Sequence, residues 1–583
     1  MLTLTAILLP LVFPPFYCFF LAPVALVPFC VCVIRRPLGW RYLLAYYLLG
    51  AAFFVPNLFW LGPVTIGGYI ALALFVALYF PLYAAALHRL VVEFRLPATI
   101  AVPLAWTAVE FVRSSFLEGG FPWFILGNCL APVPLLIQSA DLFGVWGLTF
   151  LIAMLNGLIV DLLRLPLRQG TAFNPRLGRL IALVAVILAF HFGYGVFRLG
   201  QHTTHDGPRV AVLQENFEQR VKDDPQNAGK VLMSHLALAR QAASETPRPD
   251  LIGWPETMVT GWVNDEFLNA PVEAFKNFEP DAKPDELALA VKGRQEDGRY
   301  IRDVLQRICD DSGATQLIGY GALDPRGNFN DSLKQNRTGT MVPGGKGRIT
   351  QEYAKVHLVP FGEYIPFRGL PVLGKYMIYL TPYGVDYSNQ PGDRWTRFLL
   401  KVPGSASTTA PAEGMVTEYT FGTPICFEDV MPYPCRFMTA PRVDPKSGQQ
   451  LGKADFLLNV SNDGWFHWVE LDQHLQACQL RAVENRVSIA RSVNTGNSGF
   501  IDSNGRILGL VRAPDGSSIK AVGTLAMTLP IDSRITLFSR IGDLLPILCG
   551  IVTTLLVGWT IVRPRRGPRA TEPPAADAAP TES

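Results

Sequence analysis

The chain has 583 residues, too many for one ordinary domain, and is 49% hydrophobic but only 17% charged. With a mean hydropathy of +0.24, that balance is unusual for a soluble protein. The formal net charge of +3 is too small to argue for nucleic acid, and no basic stripe carries interleaved aromatics.

The averages hide a division. Residues 1 to about 200 are almost continuously apolar, 207–530 carry most of the charge, and a second apolar stretch covers 543–562. The apolar region divides into lengths of about 20 residues, enough for a bilayer core of about 30 Å. The expected spans are 3–20, 21–35, 42–61, 68–91, 97–116, 138–162, 179–199 and 543–562. The first two are short, Pro-rich and closely joined, as in a broken or re-entrant pair. No positive region precedes them, which argues against a cleaved signal peptide.

Arginine placement sets the expected orientation. With the N-terminus inside, the inward connections hold Arg35, Arg36 and Arg41, then Arg89 and Arg95, then Arg164, Arg168, Arg176 and Arg179. The last inward segment holds Arg563, Arg565 and Arg566 and leads into a Pro/Ala/Glu-rich tail, read as a disordered cytoplasmic end at 563–583. The outward connection at 62–67 has no charge, and that at 117–137 has only Glu118. Eight spans therefore place the polar domain, 207–530, outside the cytoplasm.

That domain alternates strands with helices, the mark of a layered α/β fold. RVAVLQENF (209–217) reads as a strand, KVLMSHLALARQAAS (230–244) as a helix and DLIGWPET (250–257) as a strand ending in a Pro-Glu turn. The helix YIRDVLQRICDDSG (300–313) precedes the strand TQLIGYGAL (315–323). Further strands are expected in TGTMVPGG, ITQEYAKVHL, EYTFGTPICF and DFLLNVSND. The helix DQHLQACQLRAVENR (472–486) then leads to VSIARSVNTG and SGFIDSNGRIL. Polar insertions near 263–298, 402–416 and 437–453 read as surface excursions. Nine cysteines are too few and scattered for a disulfide framework, although spacing does not decide whether Cys309, Cys435 or Cys478 pair. No CxxC pair or Cys/His cluster has zinc spacing, so no metal is expected.

Three polar residues fall at strand ends or just beyond, where α/β sheets place chemistry. They are Glu256 in WPET, Lys355 in EYAKVHLVPFGEYIP and Cys426 in TPICFED. Singly, each has a plain explanation: a turn carboxylate, a solvated lysine, a small buried side chain. Together they supply a base, a cation and a thiol. A free thiol with a pKa near ~8.5 is mostly protonated at neutral pH. A carboxylate takes its proton, and the ammonium with the backbone N–H of Phe427 stabilises an oxyanion.

At these residues the chain resembles the nitrilase superfamily, whose members use a Glu-Lys-Cys triad on an αββα sandwich. KVHLVPFGEYIP (355–366), NVSNDGWF (459–466) and RAVENRVSIARSVNTGNSGFID (481–502) are similar to motifs of its membrane-embedded branch, the apolipoprotein N-acyltransferases. The resemblance covers nearly the whole chain, apart from the tail and the insertions. It implies eight membrane helices around a nitrilase domain, and Glu256, Lys355 and Cys426 as the catalytic triad. It further implies transfer of an acyl chain from a phospholipid, through a Cys426 thioester, to the α-amino group of a diacylglyceryl-cysteine on an apolipoprotein. No cofactor is implied, and the expected location is the bacterial inner membrane with the catalytic domain on the periplasmic side.

Glu363 and Glu428 match further glutamates of that family near the triad, and Trp465 is a candidate for lining an acyl pocket. Asn459, Asn462 and Asp463 read as loop formers, and Arg491 and Asn494 as structural hydrogen-bonders. The chain departs from the family pattern at Phe427, where a tyrosine is common, and at Asp223, where many members have a tryptophan. Arg368 has no secure counterpart. Two other readings stand beside the transferase: a membrane-anchored nitrilase-type hydrolase, and a non-catalytic scaffold.

Overall fold

The computed structural model describes all residues except 116–118, 165–174, 277–282, 326–332, 382–387, 404–415, 445, 447, 467 and 563–583. Glu118, Arg168, Arg563, Arg565, Arg566, the tail and most of the 402–416 insertion lie outside the described residues.

Helices occupy every segment read as apolar. Among the described residues, Ile66–Glu93, Ala140–Leu163, Pro175–Leu199 and Leu544–Val562 are long and apolar enough to cross a membrane. Leu2–Leu11 and Phe19–Arg35 are shorter apolar helices, and Trp40–Asn57 and Ala98–Ser115 complete the set. The segment expected as one span at 3–20 breaks after Leu11. Pro14 and Pro15 follow, neither with an N–H to extend the helix.

Small residues and polar side chains hold these helices together, as expected where lipid provides no hydrophobic drive between them. A Cβ on Gly157 would lie 2.3 Å from the Ala98 carbonyl oxygen, so only glycine permits that crossing. Asp161 accepts from the N–H groups of Ala98 and Thr99 at 3.0 and 2.9 Å, capping one helix from another. Asn156 donates to the Ala22 carbonyl at 2.8 Å and accepts from the Leu26 N–H at 2.9 Å.

The polar half is built on two six-stranded sheets and a small hairpin. Its strands are β1 Thr204–Gln214, β2 Leu251–Gly253, β3 Thr315–Asp324, β4 Leu333–Met341, β5 Gln351–Ala354, β6 Phe398–Pro403 and β7 Val416–Gly422. They continue with β8 Arg442–Val443, β9 Gln450–Leu451, β10 Phe456–Ser461, β11 Ser488–Val493, β12 Gly499–Ile501, β13 Ile507–Leu510 and β14 Gly523–Asp532. The sheet orders are β14-β1-β2-β3-β4-β5 and β13-β12-β11-β10-β7-β6. Each has a parallel centre, β1-β2-β3 in one and β7-β10-β11 in the other, with antiparallel flanks.

The sheets face each other across Val210, Val212, Leu251 and Leu317 on one side and Phe421, Phe456 and Leu458 on the other. Helices Ala228–Ala243 and Pro284–Ser312 cover the outer face of the first sheet. Helices Pro432–Thr439 and Trp468–Asn485 cover the second. Burial on both faces leaves β10 and β11 buried throughout, including the polar side chains of Asn459, Arg491 and Ser492.

Two differences from the sequence reading are physical. The helix expected at 300–313 begins at Pro284, inside the stretch taken as a polar excursion. Its first turns bury Leu287 and Val291 against Phe267, Leu268 and Phe275, a small core of their own. Strands β6 and β14 were not anticipated. Both are edge strands that pair antiparallel with one neighbour, and pairing rather than local pattern makes them strands.

Helix Trp468–Asn485 has two packed faces. Leu475, Cys478 and Ala482 join the sheet core, while Ala477, Leu480 and Val483 join the membrane-helix core. The seam is also polar. Helix Ala140–Leu163 breaks at Phe143 and Gly144, where Gly144 takes φ +65°. The break releases the Val145 N–H, which donates to Glu484 at 2.7 Å. Arg486 donates to Asp141 at 2.8 and 3.0 Å, both residues fully buried.

Candidate active site

The three residues singled out in the sequence converge. Glu256 lies three residues past β2, Lys355 directly follows β5, and Cys426 opens the turn Cys426–Asp429 after β7. Two come from one sheet and the third from the other, so the site sits where strand ends of the two sheets meet. Thr338 of β4 and Thr423 join the sheets there through their hydroxyls at 2.7 Å.

Lys355 is 1% exposed, with its ammonium 2.9 Å from Glu363 and 3.5 Å from Glu256. Burial acts to lower its pKa, but the two carboxylates outweigh that and hold the ammonium above its usual range. Glu363 also accepts from the Val359 N–H at 2.8 Å, which closes the loop after Lys355. Asn336 of β4 donates to Glu256 at 3.1 Å and to Glu363 at 2.6 Å, bridging the two carboxylates. Burial raises the pKa of Glu256, Lys355 opposes the rise, and Glu363 adds to it. Glu256 is thus suited to taking and returning a proton.

Cys426 has φ +51°, a conformation uncommon for a residue with a Cβ. Strain of this kind persists where the surroundings enforce it, and here Glu428 does so. Its carboxylate accepts from the Ile425 N–H at 2.9 Å, fixing the entry to the turn. It also accepts from the Val356 and His357 N–H groups, both at 2.9 Å, and from the Tyr353 hydroxyl at 2.7 Å. One buried side chain thereby ties the thiol's turn to the lysine's loop. Burial pushes its pKa up to about 7 despite these donors. The Cys426 thiol is itself held well above its usual value, by burial first and then by Glu256, with Lys355 opposing. At rest it keeps its proton.

Phe427 lies between two rings. It stacks on the Trp123 indole at 5.6 Å and 6°, and on His357 at 5.5 Å and 25°. Trp123 belongs to the connection preceding helix Ala140–Leu163, so this side of the turn faces the membrane helices. Phe427 belongs to their core, and Cys426 touches that core and the sheet core alike. Stacking accounts for the aromatic ring at 427 without a hydroxyl.

Trp465 ends the turn Asp463–Trp465 and is half-buried. Its neighbour Phe466 meets Trp60 edge-on at 5.2 Å. Behind the site, Arg491 donates to Asp429 at 2.7 Å, Asn459 at 3.0 Å and Asp463 at 2.9 Å. Asp463, Glu470 and His474 lie close enough to share an ion, a grouping that the sequence spacing did not display. Arg491 and His474 already meet Asp463 and Asp429 with positive charge. Asn462 accepts from Asn494 at 2.9 Å and donates to Gln219 at 2.7 Å. Asp223 is exposed on helix Gln219–Asp223 and accepts from Gln219 at 2.6 Å. Each of the nine cysteines is a free thiol.

Sequence reasoning missed Asn336, Tyr353 and Lys222. Asn336 lies in an ordinary polar strand, KQNRTGT, with nothing to mark it. Lys222 neighbours the departure at Asp223 and donates to the hydroxyl of Thr257, the residue after Glu256.

An αββα sandwich with a thiol, a buried ammonium and a buried carboxylate at the sheet ends defines the carbon-nitrogen hydrolase class, and that family's profile matches residues 209–521. The profile of the apolipoprotein N-acyltransferase N-terminal domain matches residues 5–158. An apolipoprotein N-acyltransferase of Agrobacterium fabrum is 30% identical over 482 residues, covering 79% of this chain and 76% of the relative. Another, of Geobacter metallireducens, is 30% identical, covering 77% of this chain and 72% of the relative. The chain belongs to the apolipoprotein N-acyltransferase family, and it is a bacterial membrane protein. Among solved structures, an amidase from Nesterenkonia sp. is 15% identical, with a TM-score of 0.33 over 57% of this chain and 93% of that one.

Proposed function

We propose that the protein transfers an acyl chain from a membrane phospholipid to the N-terminal α-amino group of a diacylglyceryl-cysteine on apolipoproteins. Glu256 takes the Cys426 proton as the sulfur attacks the sn-1 ester carbonyl. Lys355 and the Phe427 N–H hold the oxyanion, and the intermediate collapses to a thioester. The departing lysophospholipid oxygen takes the proton from Glu256. The acceptor amine then attacks the thioester and gives its proton to Glu256. The second oxyanion collapses, and Cys426 leaves and recovers its proton. Glu363 positions Lys355, Glu428 holds the turn, and Trp465 lines the acyl pocket. The reaction needs no metal or nucleotide.

One observation carries this reading: Cys426 stands where the sheet core meets the membrane-helix core, beside Lys355 held between two carboxylates. Both substrates are lipids, and each buried CH₂ contributes about 0.8 kcal/mol to keeping their chains in an apolar phase. A thiol facing the membrane helices meets them there. Arginine-rich inward connections support a periplasmic location for the catalytic domain.

The purified protein is incubated with labelled phospholipid, with and without a diacylated lipopeptide. Phospholipid alone should add one acyl mass to Cys426, and the lipopeptide should remove it and become triacylated. Cys426→Ala should show neither product. Free fatty acid without triacylated peptide would show a hydrolase and overturn the proposal.

A further inference from the structure

We propose that Lys222 is a second cation of the active centre, a positioning residue that balances its charge and lets Cys426 ionise. The short helix Gln219–Asp223 that carries it is held from behind. Asn462 donates to Gln219 at 2.7 Å, and Asn494 both donates to and accepts from the Phe217 backbone at 2.7 and 3.2 Å. This fixes the half-buried Lys222 side chain against Thr257, whose hydroxyl accepts from its ammonium. Thr257 has φ +54° immediately after Glu256, so Lys222 stands at the turn that presents the base.

The charges around it support the role. Burial lowers the Lys222 pKa, and Glu256, then Asp223 on its own helix and Cys426, oppose that fall and favour the ammonium. It also faces His235 of helix Ala228–Ala243, which burial and then Lys222 push down to about 4 and so leave neutral. Glu256 and Glu363 bring two negative charges to the centre and Lys355 one positive. Asp463 also acts on Glu256 and Cys426, but Arg491 and His474 meet its charge. Asp223 is exposed to solvent; the charges of Glu256, Glu363, Lys355 and Lys222 sum to zero, and moving a proton from Cys426 to Glu256 leaves that sum unchanged. Without Lys222 the buried centre carries one excess negative charge, which opposes a thiolate there.

The inference rests on the triad reading, but its test does not require acyl transfer. Cys426 in the full-length protein is alkylated with iodoacetamide across a pH series and followed by peptide mass spectrometry. Lys222→Met keeps the aliphatic stem without the charge, and its alkylation curve should move to higher pH by about one unit, a tenfold loss of thiolate. Lys222→Arg should restore the curve. A Lys222→Met curve that coincides with wild type overturns the proposal. So does a shift that Lys222→Arg fails to restore, which would mark a role in shape rather than charge. A shift in a protein that forms no acyl-enzyme upholds Lys222 and counts against the transferase reading alone.

Discussion

At the scale of single residues, the centre turns on how two carboxylates share one buried ammonium. Lys355 lies nearer Glu363 than Glu256, at 2.9 against 3.5 Å. Glu363 therefore serves as the fixed counter-ion, and Glu256 keeps capacity for a proton. Burial and Glu363 raise the Glu256 pKa, and Glu256 must be ionised to act as base. Acylation should thus be lost on acidification at a pH above the ordinary carboxylate range, as a pH series of single-turnover acyl-enzyme formation will show. Asn336 is the neutral bridge between these carboxylates. Asn336→Leu removes hydrogen bonds to charged groups worth about 1.5–3 kcal/mol each. Acylation in that variant should slow by roughly ten- to a hundredfold, with a further upward move of the acidic limb.

At the scale of elements, Glu428 joins two segments that come from different sheets. Its four donors span Ile425, Tyr353, Val356 and His357. Glu428→Gln puts an amide nitrogen where an acceptor is required, leaving at least one buried N–H or hydroxyl without a partner. The loss should be about 1–3 kcal/mol of stability, read as a lower melting temperature. The rate of Cys426 acylation should fall as well, because the turn at φ +51° is no longer enforced. This arrangement was only half legible. The sequence marked Glu428 because it follows the thiol by two residues, but three of its four donors, Tyr353, Val356 and His357, lie 71–75 residues away in β5 and the loop after it. Cys426, Lys355 and Glu256 were legible because strand ends are recognisable from apolar runs that stop at polar residues. Asn336 and Lys222 were not, since neither a strand interior nor a short surface helix has a pattern that distinguishes a functional polar residue from a solvated one.

For the whole molecule, the catalytic half and the membrane helices share one interface built on helix Trp468–Asn485 and the residues that follow it. Arg486 and Asp141 form its buried ion pair, with Arg486 also donating to Gln138 and Asn504 at 2.8 Å. Breaking a buried pair from one side leaves an uncompensated charge, at a cost of about 3–5 kcal/mol. Arg486→Met should therefore lower the melting temperature of the detergent-purified protein markedly. Adding Asp141→Leu should recover part of that loss, because the orphaned carboxylate goes too. If the double variant melts below both single variants, the pair is not the coupling element described here.

The sequence alone determined the division into apolar and polar halves, the alternation of strands and helices, and the order of Glu256, Lys355 and Cys426 along the chain. Each of these is written in local composition and period, which depend on neighbours a few residues apart. Tertiary structure alone decided that Lys355 is shared between Glu256 and Glu363, and that Glu428 staples two sheets. It also decided that Phe427 stacks between Trp123 and His357, and that the thiol faces the membrane helices. These are distances between residues tens to hundreds of positions apart, and only the packing of two sheets against one another and against the membrane helices sets them.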